Sequence, residues 1–540
     1  MLAPLRTNAP RRRTATGKAV PAPVGGWDAV SPLAVMPDDR AIVLDNWFPQ
    51  PGYVEVRKGS KVHGSGMGSA AVESLMVYNG QTVAATKMFA ASDGAFWDAS
   101  SSGNAASTSV TGLASNRWQY VNYTTSAGVH YLWACSGSDD VRHYNGSAWA
   151  APSITGITSS DVIHANVHKK RIWVILKDSM DAAYLGLDSI AGAATKFPLG
   201  SVMQKGGHLV AMATWTRDAG SGPDDFAVFI SSRGEVAVYQ GTDPASDFLL
   251  VGVFSLGAPI GRRCFTKVAG DIALINIDGA LPLSKALGGD RGAAADIAIT
   301  KNINNAMNQA ARLYSGNFGW ELTPYAKGTM ALLNVPTSEG SSQEQYVMNT
   351  LTGAWCRFTG WNANCFAVFK DNLYFGGNDG LIVQADTGTM DTGSPVDAVG
   401  QTAYNYFSAR GSQKKFSALQ PLISTDSATK PAIGMSTDFK SNAKLGTPTT
   451  AGTEAAIYDT AIYDTDVYAV EGGTVADWTT VSGVGQCASI HFRAKTGPDS
   501  GVTLWGFGTW GSAVWSKAAP SAVSVRLNGF HITMEQGAFY

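Results

Sequence analysis

From about residue 70 onward, the chain alternates short apolar runs with polar turns and shows no helical period. The first example has apolar runs at 72–78, 82–86 and 95–97, separated by the turns Asn79–Gly80 and Asp93–Gly94. Asparagine–glycine and aspartate–glycine pairs supply the positive φ angles that tight hairpin turns need. This unit therefore predicts three short antiparallel strands joined by hairpins.

Units with a similar layout recur along the chain. They lie at residues 118–146, 162–187, 209–239, 264–283, 320–353 and 365–383. In the better-spaced units the turn glycines recur at roughly 40 to 55 residues, the period of propeller blades. A radial arrangement of small sheets protects their edges. The pattern predicts an all-β fold with a β-propeller of about six to eight blades. A pair of β-sandwiches with accidental spacing is the alternative.

One segment departs from this β pattern. At 302–314, Ile303, Met307, Ala310 and Tyr314 fall near helical spacing. The segment predicts a short helical insertion between the fifth and sixth units.

The two ends of the chain differ from the repeats. Residues 1–26 are rich in proline, arginine and small residues, which predicts an extended arm that is ordered only when a partner holds it. Residues 27–69 combine aromatics with prolines and predict an irregular, aromatic-pinned opening segment. The propeller repeats then span 70–388. Residues 389–540 predict an additional C-terminal β module, or strands that return to close the propeller against the N-terminal segment.

Composition narrows the classes of function. The chain of 540 residues has a formal net charge of -2, which argues against broad cationic binding to nucleic acid. Its five cysteines are scattered and form no C-x-x-C pair, so neither a disulfide framework nor a zinc site is expected. The longest uncharged apolar stretch is too short to span a bilayer, so we expect no membrane anchor.

Several short motifs suggest enzymes, but each lacks its structural context. Residues 506–511 have dinucleotide-binding spacing, yet bulky aromatics fill them and no βαβ frame surrounds them. Residues 412–415 and 495–497 match parts of a penicillin-binding-protein pattern without the S-x-N motif between them. His164 and His168 would share a strand face, but a third metal ligand is missing, which favours a solvated polar face. We expect no catalytic, cofactor-binding or metal site.

Two sets of residues are candidates for contacts with other molecules. The basic candidates, for DNA or for another subunit, are Arg11, Arg12, Arg13, Arg410, Lys414 and Lys415. The aromatic candidates, for a subunit interface, are Trp47, Phe48, Trp505 and Trp510. The alternative for each aromatic is that it fills the core of the propeller or of the C-terminal module.

Several segments resemble a family of bacteriophage tail proteins. They are Gly25-Gly26-Trp27-Asp28, Met36-Pro37, Leu44-Asp45-Asn46-Trp47-Phe48-Pro49, Gly52-Tyr53-Val54, Arg57-Lys58-Gly59, Leu351-Thr352-Gly353-Ala354-Trp355, Phe366-Ala367-Val368-Phe369, Asn372-Leu373-Tyr374-Phe375-Gly376 and Ala403-Tyr404-Asn405-Tyr406-Phe407. From about residue 25 to about residue 420, the chain is similar to the tail nozzle (tail tubular protein B) and packaged-DNA stabilisation proteins of short-tailed phages.

The resemblance implies a structural subunit with no enzymatic activity, which forms a homohexameric ring around the DNA-ejection channel and helps to retain packaged DNA. The implied partners are portal and adaptor ring proteins, tail fibres or spikes, and phage DNA bound without sequence specificity. The implied location is the virion tail, after assembly in the host cytoplasm. Two other functions stay open: a head-completion plug beneath the portal, and a carbohydrate-binding or glycosidase propeller.

Overall fold

The computed structural model describes most of the chain, namely residues 15–218, 223–268, 270–288, 292, 294–425, 429–440, 445, 449–450, 473–496 and 525–537. This part of the chain is all-β with a few short helices, as the sequence predicts. It divides into two compact units. Unit 1 comprises Met1–Lys58, Ala354–Cys356 and Gly388–Tyr540, and unit 2 comprises Gly59–Gly353 and Arg357–Thr387. The predicted opening segment, 27–69, is therefore shared between the two units.

Most strands in the described part of unit 2 fall into seven antiparallel groups, which are called sheets one to seven in chain order. Sheet one contains Ser74–Tyr78, Lys87–Ser92, Ala95–Asp98 and Ala106–Ser107, and sheet two contains Gln119–Thr124, His130–Cys135, Arg142–Tyr144 and Trp149–Ala150. Sheet three contains Val162–His168, Arg171–Leu176, Asp181–Tyr184 and Thr195–Pro198. Sheet four contains Leu209–Asp218, Pro223–Ser231, Glu235–Gln240 and Leu249–Ser255. Sheet five contains Phe265–Val268, Asp271–Asn276 and Gly279–Pro282, and sheet six contains Glu321–Tyr325, Met330–Ser338 and Ser342–Asn349. Sheet seven contains Cys365–Phe369, Asn372–Gly376, Ile382–Ala385 and Ser60–Ser65.

Sheet seven takes its fourth strand from the other end of unit 2. Ser60–Ser65 pairs with Ile382–Ala385 in an antiparallel register that sets Val62 opposite Val383. Further short strands are Gly103–Asn104, Ile154–Thr155, Gly192–Ala193 and, across the boundary between the units, Trp355–Phe358.

Neighbouring sheets pack on one another through apolar side chains. The rings of Phe89 in sheet one and Tyr144 in sheet two lie 4.8 Å apart, and those of Trp173 in sheet three and Phe229 in sheet four 5.5 Å apart. Buried clusters also join sheet four to sheet five, and sheet seven to sheet one through Tyr374 and its neighbours. The first strands of sheets five, six and seven contact one another in turn. The last sheet of the series thus packs on the first.

Of the two hairpin turns predicted in the first unit, Asp93–Gly94 follows the backbone rule, whereas neither Asn79 nor Gly80 has a positive φ angle. Asp93 and Gly94 have φ angles of 50° and 67°, as the mirror-image turn requires. Lys169 and Lys170, with φ angles of 46° and 58°, make a turn of the same sense without glycine. Composition alone does not reveal a turn of that kind.

One predicted strand in sheet one is misplaced. The segment expected to be extended at 82–86 contains the 3-10 turn Val83–Ala85, and the strand follows at Lys87–Ser92. Thr82 Oγ1 accepts a hydrogen bond from the Ala85 N–H at 3.2 Å, which favours the turn over a strand.

Helices occupy little of the chain. The described helices are Leu283–Ala286, Ala294–Ile297 and Asn304–Tyr314, with 3-10 turns at Val83–Ala85, Ser159–Asp161 and Lys301–Ile303. The predicted helix at 302–314 is confirmed, and it buries Met307, Ala310 and Ala311. Within the described residues, no helix is long and apolar enough to cross a bilayer.

Most of the described strands of unit 1 belong to two sheets, and the first is built around Val525–Gln536. This strand lies between Lys414–Thr425 on one side and Thr16–Pro21 with Tyr53–Val56 on the other. Its other strands are Trp47–Gln50, Gly473–Val475 and Thr479–Gly485. The second sheet contains Gly26–Trp27, Arg40–Asp45, Asp397–Thr402, Ala488–Lys495 and Ala432–Thr437. Short pairs are formed by Met390–Asp391 with Ser394–Pro395 and by Thr429–Lys430 with Thr449–Thr450.

The structure differs from the predicted N-terminal arm at residues 16–21. These residues form a strand whose register sets Ala19 opposite His531. The chain's own C-terminal strand supplies the backbone hydrogen bonds that the prediction assigned to a partner. Residues 1–14 lie outside the described part of the chain.

Candidate functional site

The two predicted interface aromatics in the described residues are core residues. Trp47 and Phe48 are 0% and 1% exposed. The Trp47 ring meets Phe492 edge to face, with ring centroids 5.3 Å apart, and Phe492 contacts Phe530 in turn. The interface prediction is therefore wrong for Trp47 and Phe48, because both rings are enclosed within unit 1. Trp505 and Trp510 lie outside the described residues.

Lys414, one of the predicted basic contacts, is fully buried. Its Nζ donates hydrogen bonds to the carbonyl oxygens of Ala409, Ser412 and Gln486 at 2.7, 3.0 and 2.6 Å. Burial lowers the pKa of this ammonium group. The ammonium group binds three main-chain carbonyls inside the protein, so the prediction of a contact with DNA or another subunit is wrong for Lys414.

Arg410 and Lys415 are exposed. The Arg410 guanidinium lies 4.7 Å from the ring centroid of Tyr406, and its Nη2 donates to the Ala34 carbonyl at 3.2 Å. Both residues remain candidates for a contact with DNA or a neighbouring subunit. Arg11, Arg12 and Arg13 lie outside the described residues.

His164 and His168 do not form the solvated strand face that was predicted. They are 7% and 2% exposed. The Met212 N–H donates to Nδ1 of His164 at 3.4 Å. Burial lowers the pKa of each imidazole to about 4. In the described ranges, no group of three or more His, Cys, Asp or Glu side chains could hold a metal ion.

The cysteines are equally enclosed. All five are free and buried. Burial raises the pKa of Cys135, Cys264 and Cys365 to about 12. A thiol of that kind stays protonated near neutral pH and is a poor nucleophile.

In unit 1, residues from separate segments of the phage-tail resemblance come together. Gly26 has a φ of +81° and lies so close to Trp355 that a Cβ would sit 2.5 Å from the Trp355 carbonyl oxygen. Only glycine fits there without moving the backbone. Asp28, two residues after Gly26, is buried and accepts hydrogen bonds from the Val30 and Ser31 N–H groups at 2.9 and 2.8 Å.

Arg57 ties the same region to a distant part of the chain. Its guanidinium donates from Nε to Asn46 Oδ1 at 2.8 Å and from Nη1 to Asp391 Oδ1 at 3.0 Å. Its Nη2 pairs with the second oxygen of Asp391, so the ion pair is bidentate. Asn46 in turn donates from Nδ2 to the Asp397 carbonyl at 2.8 Å. With its side chain 1% exposed, Arg57 is a buried connector of unit 1.

In unit 2, Arg263 connects sheets that are far apart in sequence. Its Nη1 pairs with Glu321 Oε2 at 2.9 Å, at the start of sheet six. Its Nη2 donates to the Glu73 carbonyl and the Ser74 hydroxyl at 3.0 Å, at the start of sheet one. The Trp118 carbonyl, next to sheet two, accepts a longer bond of 3.4 Å. Arg263 precedes sheet five, so one side chain joins the beginnings of four sheets.

Sequence reasoning did not predict the contacts of either arginine, although Arg57 belongs to one of the resembling segments. Nothing in the sequence links Arg57 with Asp391, which lies 334 residues further along. Arg262 and Arg263 are adjacent and precede a predicted strand, which is a weak signal at most. Around Arg57 and Arg263, the interactions are ion pairs and hydrogen bonds.

The comparisons with known proteins assign no family. No known family profile and no curated protein sequence matches the chain. Among solved structures, the extracellular domain of a hybrid two-component system from B. thetaiotaomicron has 10% identity and a TM-score of 0.41, with 66% of this chain and 42% of that chain covered. BBS1N, solved in complex with ARL6DN, has 10% identity and a TM-score of 0.35, with 62% and 100% covered. Chaetomium thermophilum Raptor has 12% identity and a TM-score of 0.35, with 62% and 29% covered. The matched region thus spans less than half the length of the first and third of these proteins.

Proposed function

We propose that unit 2 is a seven-bladed β-propeller. Successive sheets pack on their neighbours, and a buried cluster joins sheet seven to sheet one. Sheet seven is completed by Ser60–Ser65, from the opposite end of the unit. A strand exchanged between the two ends of a series of blades closes the ring and leaves no free end. Seven blades lie within the range that the spacing of the turns predicts.

We propose that the chain is a structural subunit of the tail nozzle of a short-tailed phage, assembled as a homo-oligomeric ring around the DNA-ejection channel. The observation that carries this proposal is the meeting, in unit 1, of residues on which the sequence resemblance rests. Gly26 lies against Trp355, and Asn46 binds Arg57.

These contacts give the resemblance a physical basis. Gly26 tolerates no side chain, and Arg57 holds Asn46 and Asp391 with donors on separate nitrogens of its planar fork, a geometry that the single nitrogen of a lysine does not reproduce. Residue types that depend on one another in this way belong to one packing arrangement. Such contacts are expected if the resembling segments share one packing arrangement.

The charge of the chain is compatible with a channel that DNA leaves quickly. The sequence has 40 lysines and arginines against 42 aspartates and glutamates. Each phosphate neutralised by a cation strengthens binding to DNA, so a strongly basic wall would slow its passage. A ring of balanced charge would retain DNA by steric closure more than by attraction.

Electron microscopy of the full chain, alone and mixed with the portal–adaptor assembly of its own phage, tests the proposal. We expect a ring with a central channel, formed alone or on that assembly, with the assembly by itself as the reference. A chain that stays monomeric and ignores the assembly would exclude the nozzle and leave a carbohydrate-binding propeller as the alternative.

Charge reversal tests the predicted basic contacts in the same assay. If Arg410 and Lys415 contact DNA or a neighbouring subunit, the double variant Arg410→Glu/Lys415→Glu lowers the yield of rings or the DNA content of assembled particles. Lys61→Glu reverses an exposed charge in unit 2 and is the matched control. Equal yields for the double variant and the control would remove these residues from the contact set.

A further inference from the structure

A cavity of about 280 Å³ lies in unit 2, among segments that precede several first strands. Its lining residues come from the four segments 115–119, 136–138, 261–263 and 315–320. Three of these segments lead into sheets two, five and six, and the fourth follows the second strand of sheet two. Arg263, described above, is one of the lining residues, whereas none of the lining residues belongs to unit 1.

Arg117, Arg262 and Arg263 bring three guanidinium groups to the lining. Two of them are neutralised by carboxylates. Arg117 pairs with Glu73 at 2.9 Å and with Glu339 at 2.6 Å, and Arg263 pairs with Glu321 at 2.9 Å. The phenyl ring of Phe318 lies against both, 4.3 and 5.3 Å from the two guanidinium carbons.

Arg262 differs from its two neighbours. Its Nη1 donates to the Ser136 carbonyl at 2.7 Å, and it forms no ion pair with any residue that the structure describes. Burial lowers the pKa of Arg262; the positive charge of Arg117 acts in the same direction, and the carboxylate of Asp178 opposes it. The cavity therefore contains one arginine without a direct ion pair among the described residues, and that residue is exposed.

Hydroxyl groups from two other segments complete the lining. Ser138 and Ser315 are exposed and line the same cavity. A phosphate group accepts hydrogen bonds from several directions, and a guanidinium fork matches two of its oxygens. A carboxylate has its two oxygens in one plane and uses such a surrounding set of donors less well.

We propose that this cavity binds a phosphate group, free or within a phosphodiester, with Arg262 as its charged donor. The site lies within a single copy of the chain and goes beyond the proposed ring, so it is tested on the isolated protein. Failure of the ring to assemble would leave this test unaffected.

Inorganic phosphate is the first probe, titrated into the full chain at constant ionic strength and followed by ³¹P NMR line width. We expect saturable binding that Arg262→Gln weakens by about tenfold or more. Arg233→Gln removes an exposed arginine elsewhere in unit 2 and is expected to bind as the wild type does. Acetate replaces phosphate in a third titration and is expected to bind more weakly.

A second variant keeps the proposal testable if Arg262→Gln fails to fold. Ser138→Asp sets a negative charge on an exposed position of the lining and is expected to abolish phosphate binding while the thermal midpoint stays near that of the wild type. A thymidine oligonucleotide, titrated in parallel, shows whether the phosphate is taken from a nucleic acid backbone or only as the free ion. Absence of saturable phosphate binding, or equal affinity in the wild type, Arg262→Gln and Ser138→Asp, would overturn the proposal.

Discussion

At the scale of single residues, burial decides what the charged and titratable side chains do. Lys414 looks in the sequence like part of a basic surface, yet its ammonium group is enclosed by three carbonyls. Arg57 is equally hidden, and its bidentate ion pair with Asp391 compensates a charge that would be costly to bury alone. Exposed neighbours such as Lys415 have the same residue type and a different environment. Residue type alone did not separate the two cases.

His164 gives a prediction about acid stability. Its imidazole is buried in the neutral form, with a pKa of about 4 against an ordinary value of 6.5. Between these two pH values the unfolded chain binds a proton that the folded chain does not, so stability is complete above pH 6.5 and falls as the pH drops towards 4. The loss for this one group amounts to roughly 3 kcal/mol at most.

Denaturant unfolding at a series of pH values measures the effect. His164→Asn keeps an acceptor for the Met212 N–H and cannot ionise, so we expect a lower stability at pH 7 but a flatter decline towards acid. His208→Asn, at a half-exposed histidine of the same unit, should decline as steeply as the wild type. An unchanged slope in His164→Asn would show that this histidine is not the source of the acid sensitivity.

At the scale of elements, the strands of unit 2 follow the sequence pattern closely. Arg171–Leu176 and Cys365–Phe369 lie at the predicted residues, because hairpin neighbours close in sequence satisfy each other's backbone. Thr16–Pro21 was missed, since its partner strand lies at the other end of the chain. Strand pairing between distant segments leaves no local pattern to read.

A substitution at Val20 tests the pairing between the strand Thr16–Pro21 and the C-terminal strand. It is the one buried side chain of the strand Thr16–Pro21, and Lys18 on the same strand is exposed. Val20→Asp places a carboxylate in an apolar site, and we expect a loss of about 3 kcal/mol in the stability of unit 1. Lys18→Asp should change it by less than about 0.5 kcal/mol.

Amide hydrogen exchange at residues 529–534 shows where the loss occurs. These residues pair with the strand Thr16–Pro21. They should exchange faster in Val20→Asp than in Lys18→Asp. Equal exchange in the two variants would mean that the N-terminal strand does not protect the C-terminal one.

At the scale of the whole molecule, an experiment on unit 2 tests whether its sheets form a closed ring. Arg263 holds the beginnings of sheets one and six with hydrogen bonds of about the same length, 3.0 and 2.9 Å. If the sheets form a closed ring, Arg263→Ala should speed amide exchange in sheets one, two, five and six together. Removing one partner of a buried ion pair costs about 3 to 5 kcal/mol.

The matched control for that experiment is Arg233→Ala, at an exposed arginine. We expect it to leave exchange in all of these sheets unchanged. Faster exchange confined to sheet five, which follows Arg263 in the sequence, would contradict the closed arrangement.

The sequence by itself determined the all-β class, the repeated hairpins of unit 2 and the helix at Asn304–Tyr314. Each depends on neighbours a few residues away: a turn pair such as Asp93–Gly94, or an apolar face with helical spacing. Tertiary structure alone decided that Trp47 is a core residue, that Arg57 meets Asp391, and that sheet seven takes the strand Ser60–Ser65. Those features depend on burial and on contacts between segments hundreds of residues apart, and neither quantity is written in the local pattern of the chain.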